Sequence, residues 1–136
     1  MPDCIFCAIA RGDAPARVVH EDERTLAFMD LFPLTRGHAL VIPKVHYENL
    51  FDATPDDVAA VARTAQRVAQ AAMQAYAPDG LNLLQTNGAV AMQTVFHLHV
   101  HVLPRYVDDG FKVSFSRRMG TDEELDDAAM TLRAAL

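Results

Sequence analysis

The chain has 136 residues, 51% of them hydrophobic, and a formal net charge of −6. A chain of this length suits one domain that buries roughly two-thirds of its unfolded surface, and the composition excludes a disordered polypeptide. The acidic balance excludes a surface for nucleic-acid backbones, which needs a basic stripe, but leaves room for a single mononucleotide held by a few local donors.

Taken in chain order, Pro2-Asp3 starts a short helix that runs to about Ala10 and is ended by Arg11-Gly12. Residues 17–21 and 25–29 read as a hairpin with Asp22-Glu23-Arg24 at its tip, and His38 to Pro43 as a third strand. Thr54 is an N-cap, with Pro55 at the first helical position and Asp57 completing a capping-box pattern; this helix runs to about Tyr76 before Pro78-Asp79-Gly80. Its apolar stripe, Val58, Val61, Ala65, Val68, Ala72 and Tyr76, recurs at helical steps and fits packing on a sheet or on another helix. Leu81 to Thr86 and Val95 to Leu103 supply two more strands, Asp108 to Met119 is a polar loop or short strand, and Thr121-Asp122-Glu123-Glu124 opens a second capped helix. The expected product is a single α+β domain over residues 1–136: a mostly antiparallel five-stranded sheet with helices packed against it.

One segment narrows the function. His97, His99 and His101 alternate within Val95 to Pro104, so a strand there would carry three of the chain's six histidines on one face. Such a face is costly to bury unless each ring finds a partner. All three cannot share one ion: at strand spacing the Cα atoms of His97 and His101 stand roughly 13 Å apart, against Zn–N bonds of ~2.0–2.1 Å. At least two imidazoles are left to grip or attack something, and the loop Asn87 to Thr94 before them offers backbone N–H groups, an amide and a hydroxyl to an anion. Cys4 and Cys7, the only cysteines, form a C-x2-C pair, half of a tetrahedral zinc site or a pair of small buried side chains. They fit a reducing compartment better than a disulfide framework, and with no leader pattern and no membrane-length apolar run a cytoplasmic protein is expected.

Gln93-Thr94-Val95-Phe96-His97-Leu98-His99-Val100-His101-Val102-Leu103-Pro104-Arg105 resembles the signature of the histidine-triad (HIT) nucleotide-binding proteins. Cys4 to Ile9, Leu26 to Asp30 and Pro33 to Lys44 resemble that family's N-terminal and central segments in order, pointing to its bacterial and Hint-like branch. The match covers residues 1–106, and 107–136 is a variable tail with a terminal helix. The resemblance implies a HIT-like fold, a homodimer paired through the Val58–Tyr76 helix, and hydrolysis or transfer at the α-phosphate of purine nucleotide derivatives (AMP, GMP), phosphoramidates in particular. His99 would be the nucleophile, with His101, Gln93 and Thr94 stabilising charge and Thr94 beside the leaving group. Ile5, Phe6, Ile9, Phe28 and Leu31 would sandwich the base, Asp30 would accept the ribose hydroxyls, and Thr86 and Asn87 would join Gln93, Thr94, His99 and His101 around the nucleotide. His46 and His97 would complete a structural zinc site with Cys4 and Cys7, while His38 stands beside the triad as a supporting partner.

Two residues depart from the family pattern. Met92 stands where the family has glycine before Gln93, and Thr86 where many relatives have asparagine. Two other readings of the same residues remain: a dinucleoside polyphosphate hydrolase, and a zinc-stabilised nucleotide-binding scaffold with little turnover.

Overall fold

Five antiparallel strands form one sheet in the computed structural model, which describes residues 4–136. They are β1 (Val18–Glu21), β2 (Thr25–Met29), β3 (Ala39–Pro43), β4 (Gly80–Gln85) and β5 (Val100–Arg105), in the spatial order β1-β2-β3-β5-β4. Three helices accompany them: α1 (Ile5–Arg11), α2 (Pro55–Tyr76) and α3 (Asp122–Ala135). The expected start of the first helix at Pro2-Asp3 lies outside the described residues. Gly12 ends α1 in the left-handed region at φ +80°, its N–H bonded to the Ala8 and Ile9 carbonyls. Among the described residues no helix is long and apolar enough to cross a membrane.

Alternation along the strands sorts side chains onto two faces. Ala27, Ala39, Val41 and Val102 face α2, where Val61 and Ala65 cover them and Val68 and Ala69 pack at the edge. Much of the apolar stripe of α2 is therefore packed on the chain's own sheet, with Val58, Val68 and Tyr76 only partly covered. On the opposite face Leu26, Phe28, Leu40 and Ile42 pack with Phe6 of α1, flanked by Ile9 and Val95. Each large side chain buried there contributes roughly 1.5–3 kcal/mol. The register places Phe28, Leu40, His101 and Leu84 side by side on neighbouring strands, so this row carries a catalytic candidate between Leu40 and Leu84.

Three expectations change. The N-cap of α2 is half a capping box: Thr54 Oγ1 accepts from Asp57 N–H, but the Asp57 carboxylate takes Tyr47 Oη–H at 2.6 Å and Arg24 at 3.2 Å instead of reaching back. The capping box of α3 is complete at Thr121 and Glu124, yet α3 has no buried residue and does not pack into the sheet. Finally, β5 begins at Val100, so residues 95–99 are not strand.

Candidate functional site

The late start of β5 separates the three histidines. The chain bends over Val95–His97, and Leu98 N–H bonds to the Tyr47 carbonyl at 2.8 Å outside the sheet ladder. An unbroken strand would have kept His97 in line with His99 and His101. Instead His97 turns back beneath α1, while His101 stays on the sheet face beside Leu40. Two centres result.

At the first, Cys4 Sγ, Cys7 Sγ, His46 Nδ1 and His97 Nδ1 lie within 4.8 Å of one another. Their closest approaches run from 3.2 Å (His46 to His97) to 3.5 Å (Cys7 to His97). Tetrahedral bonds of the zinc–nitrogen and zinc–sulfur lengths give ligand–ligand edges of roughly 3.3–3.8 Å, so the four atoms fit that ion. Orientation supports the fit. His97 Nε2 is 2.9 Å from the Pro43 carbonyl, which can only accept, so the ring proton sits there and the Nδ1 lone pair faces the thiols. Burial pushes the Cys7 thiol up, with Cys4 adding to it, and pushes His97 down to about 4, a setting in which a shared cation would offset costs that proton uptake cannot.

The second centre is made by His99, His101, His38 and Asp30. His99 Nδ1 is 2.7 Å from the His97 carbonyl, so Nδ1 carries the proton and Nε2 presents a lone pair. His101 takes the opposite form through two steps. Leu34 N–H donates to His38 Nδ1 at 3.1 Å, which puts the His38 proton on Nε2. That N–H faces His101 Nδ1 at 2.9 Å, making it the acceptor and leaving the His101 proton on Nε2. Burial lowers the pKa of His38, His99 and His101, the last to about 4, with His99 and His38 adding like-charge cost at His101. Burial thus favours the uncharged rings, His99 with a lone pair on Nε2 and His101 with an N–H there. Asp30, His38 and His101 also bring three ligand atoms within 4.8 Å. The Leu34 N–H occupies the His38 Nδ1 lone pair, so Nε2 has none to offer an ion, and this trio does not suit a metal.

The other candidates divide by what their polar atoms already do. Gln93 is buried and its carboxamide is fully used: Oε1 accepts from Gly88 N–H at 2.8 Å, and Nε2 donates to the Glu48 and Val95 carbonyls. It holds the loop in shape and is not free to donate to a phosphate, which corrects its expected role. Asn87 is likewise committed, pairing twice with Gln85 and accepting from Leu50 N–H. Thr94 is exposed, and Thr86 is buried with an Oγ1 that has no hydrogen-bond partner among the described residues. Thr86 follows Gln85, the partner of Val100, and so stands at the register position of His99. Phe6 touches Phe28, His97 and His99 edge-on at 5.2–6.0 Å between ring centres, joining the two centres. Phe28 is core and Ile9 flanks it, whereas Ile5 and Leu31 project outward. Asp30 both caps its own turn, accepting Phe32 N–H at 2.8 Å, and reaches His38 Nε2 at 3.4 Å.

Met92 closes a single 3-10 turn over Ala89–Ala91 at φ +73°, in the left-handed region that glycine occupies without cost. Its side chain is 70% exposed, so it leans into solvent and does not plug the loop. Sequence reasoning missed the groups that set the tautomers, the carbonyls of Pro43 and His97 and the amide of Leu34. Backbone atoms leave no trace in residue identity.

The HIT domain model matches residues 11–108. The chain belongs to the HIT family. It is 46% identical over 110 residues to "Protein hit" of Bacillus subtilis, covering 80% of this chain and 76% of that one. It is 41% identical over 116 residues to adenylylsulfatase HINT3 of Arabidopsis thaliana, covering 85% of this chain and 59% of that one. A crystal structure of a HIT family member from B. subtilis superposes with a TM-score of 0.94 at 39% identity, covering 98% and 97% of the two chains. A Zn-bound histidine-triad protein from Mycobacterium smegmatis gives 0.77 at 45% identity, covering 99% of each. A histidine-triad nucleotide-binding protein from Candida albicans gives 0.89 at 27% identity, covering 98% and 96%.

Proposed function

We propose that this protein cleaves the α-phosphate bond of purine nucleotide derivatives, with phosphoramidates such as AMP-amines as its substrates. The observation that carries the reading is the opposed protonation of His99 and His101. His99 Nε2 attacks the α-phosphorus as the bond to the leaving amine breaks, giving a nucleotidyl-histidine; water then displaces the histidine and releases the mononucleotide. His101 Nε2–H donates to the phosphoryl oxygens, Thr86 lines the nucleotide site from beneath, and the exposed Thr94 hydroxyl serves the leaving group. Gln93 and Asn87 hold the loop that frames the phosphate. Asp30 accepts the ribose hydroxyls, and Phe6, Ile9 and Phe28, with Ile5 and Leu31 at the rim, take the base. The adenylylsulfatase relative supports a hydrolase that works on nucleotides.

Cys4, Cys7, His46 and His97 would hold zinc, which would supply a structural tie between α1 and the residues before β5. The protein acts in the cytoplasm, where the thiols stay reduced, and as a homodimer. Exposed apolar residues open to pairing include Met73 of α2, Leu83 of the edge strand β4, and Leu125 and Leu132 of α3.

A turnover panel tests the function: AMP-lysine, AMP-morpholidate, diadenosine polyphosphates and ADP-ribose-type pyrophosphates. Hydrolysis confined to the phosphoramidates supports this reading; preference for the polyphosphates replaces it, and nucleotide binding without turnover leaves a scaffold.

A further inference from the structure

The turn from β2 to β3, residues 30–38, carries the amide that selects the His38 tautomer, and its tip is open: Leu31, Phe32 and Leu34 project into solvent. Leu34 N–H holds His38 Nδ1 at 3.1 Å, His38 N–H holds the Thr35 carbonyl at 3.2 Å, and Asp30 N–H holds the His38 carbonyl at 3.1 Å. All three bonds are internal to the turn. Among the described residues one hydrogen bond reaches residues 31–37 from outside it: Tyr106 Oη–H donates to the Arg36 carbonyl at 2.8 Å. Tyr106 follows β5, the strand of His101, and is itself anchored. Its N–H bonds to Asp109 Oδ2 at 3.0 Å, and Arg105 grips the same oxygen at 2.8 Å. Tyr76, at the end of α2, braces the turn from another side. The Arg36 guanidinium lies 5.3 Å from its ring centre, and a Cβ on Gly37, at φ +87°, would collide with the ring.

We propose that Tyr106 is a positioning residue for the chemical step: its hydroxyl staples the turn to the strand of His101, so that Leu34 N–H stays on His38 and His101 keeps its proton on Nε2. The inference rests on the reading that His101 donates to the phosphoryl oxygens. Arg36 stands two residues from Leu34 and two from His38, so holding its carbonyl holds both partners of the selecting bond. If the turn drifts and Leu34 N–H leaves Nδ1, the neutral His38 ring is free to carry its proton there and to present a lone pair from Nε2. His101 Nδ1, 2.9 Å away, must then carry a proton itself, which strips His101 Nε2 of its N–H and removes that donor from the phosphate. Asp30 Oδ2, 3.4 Å from His38 Nε2, draws the His38 proton back toward Nε2, so loss of the staple mixes the two forms and does not invert them. The effect falls on the chemical step and not on affinity, because Tyr106 acts through His38 and His101 without facing the sugar or the base.

The test is Tyr106→Phe, which removes the hydroxyl and keeps the ring. Nitrogen NMR of the ligand-free wild type should show Nδ1 of His38 and of His101 unprotonated, and the variant should show a mixture at both. In single-turnover reactions with a saturating adenosine phosphoramidate the variant should be slower by about three- to tenfold, the net worth of one hydrogen bond, with mononucleotide Kd within about twofold of wild type. In a His101→Gln background the same change should cost less than about twofold, because the relay then ends on no ring; a general loosening would cost the same in both backgrounds. Unchanged His101 signals, an unchanged saturated rate, or an equal loss in both backgrounds overturns the inference and leaves the hydrolase intact. Mixed tautomers in the variant, with no turnover of phosphoramidates even by the wild type, would uphold the staple and overturn the hydrolase alone.

Discussion

The ring of His97 donates from Nε2 to the carbonyl of Pro43 across 2.9 Å, and this bond points its other nitrogen at Cys4 and Cys7. A histidine turned the other way would present an N–H to two thiols and to His46. Protein purified without chelator should therefore contain close to one zinc per chain. Cys4→Ser or Cys7→Ser should lose the metal and much of the thermal stability, since binding to the folded state alone adds to its stability. Elemental analysis and melting in chelator check this; a melting temperature indifferent to chelator would count against it.

His99→Asn should lower turnover by at least about three orders of magnitude and keep mononucleotide affinity, because asparagine fills the space but cannot attack phosphorus. Mass spectrometry of a single turnover should find the nucleotidyl adduct on His99. An adduct on His101 would show that the tautomers had been assigned backwards.

Met92→Gly should stabilise the protein by about 1 kcal/mol, the order of cost of a left-handed L-residue, partly offset by the freedom glycine gains when unfolded. Denaturant titration measures it. Turnover should stay within about threefold, because the methionine side chain is mostly in solvent. A jump in rate would show instead that it crowds the substrate.

Stability should decline as pH falls from about 6.5 to about 4. Burial holds His101 at about 4 in the folded protein, with His38 and His99 also lowered. Over that window the unfolded chain takes up protons that the folded chain refuses, so acid favours unfolding. Carboxylates add a further loss that sets in near their ordinary range as the unfolded chain protonates, and it runs on well below that range because Asp22 and Asp109 are held low by their hydrogen bonds and by Arg105, respectively. Denaturation midpoints across this range should drop less steeply in His101→Gln. An equal slope in that variant would remove His101 from the account.

Sedimentation should give a species of twice the 15.0 kDa chain mass at micromolar concentration. Truncation before Thr121 should shift it toward monomer if α3 supplies the pairing surface. A wild-type monomer refutes the dimer.

The helices and strands were largely legible because their signals are local. Thr54-Pro55 and Thr121 with Glu124 start α2 and α3, Gly12 stops α1, and the charged tip Asp22-Glu23-Arg24 and the apolar run closed by Pro43 mark β1 to β3. The zinc ligand set was legible through resemblance and is brought together as expected. The bend over Val95–His97 was not, because Val, Phe and the following residues favour a strand, while in the folded chain the Val95 carbonyl is held by Gln93 and the Leu98 N–H by the Tyr47 carbonyl. Nor could sequence show that Gln93 and Asn87 had spent their amides, since a side chain's partner is a property of the folded chain.

Both reactive nitrogens are selected by main-chain atoms, the carbonyl behind His99 and the Leu34 amide that reaches His101 through His38. In the proposed chemistry, replacing side chains other than His38 one at a time would therefore not exchange the roles of His99 and His101, whereas loss of the His38 ring would cut the link from the Leu34 amide. An engineer who wanted His101 to attack would have to rebuild the turn at Leu34 and the bend before β5. The division of labour is a property of the route the chain takes, and it would survive much drift in the residues that line the pocket.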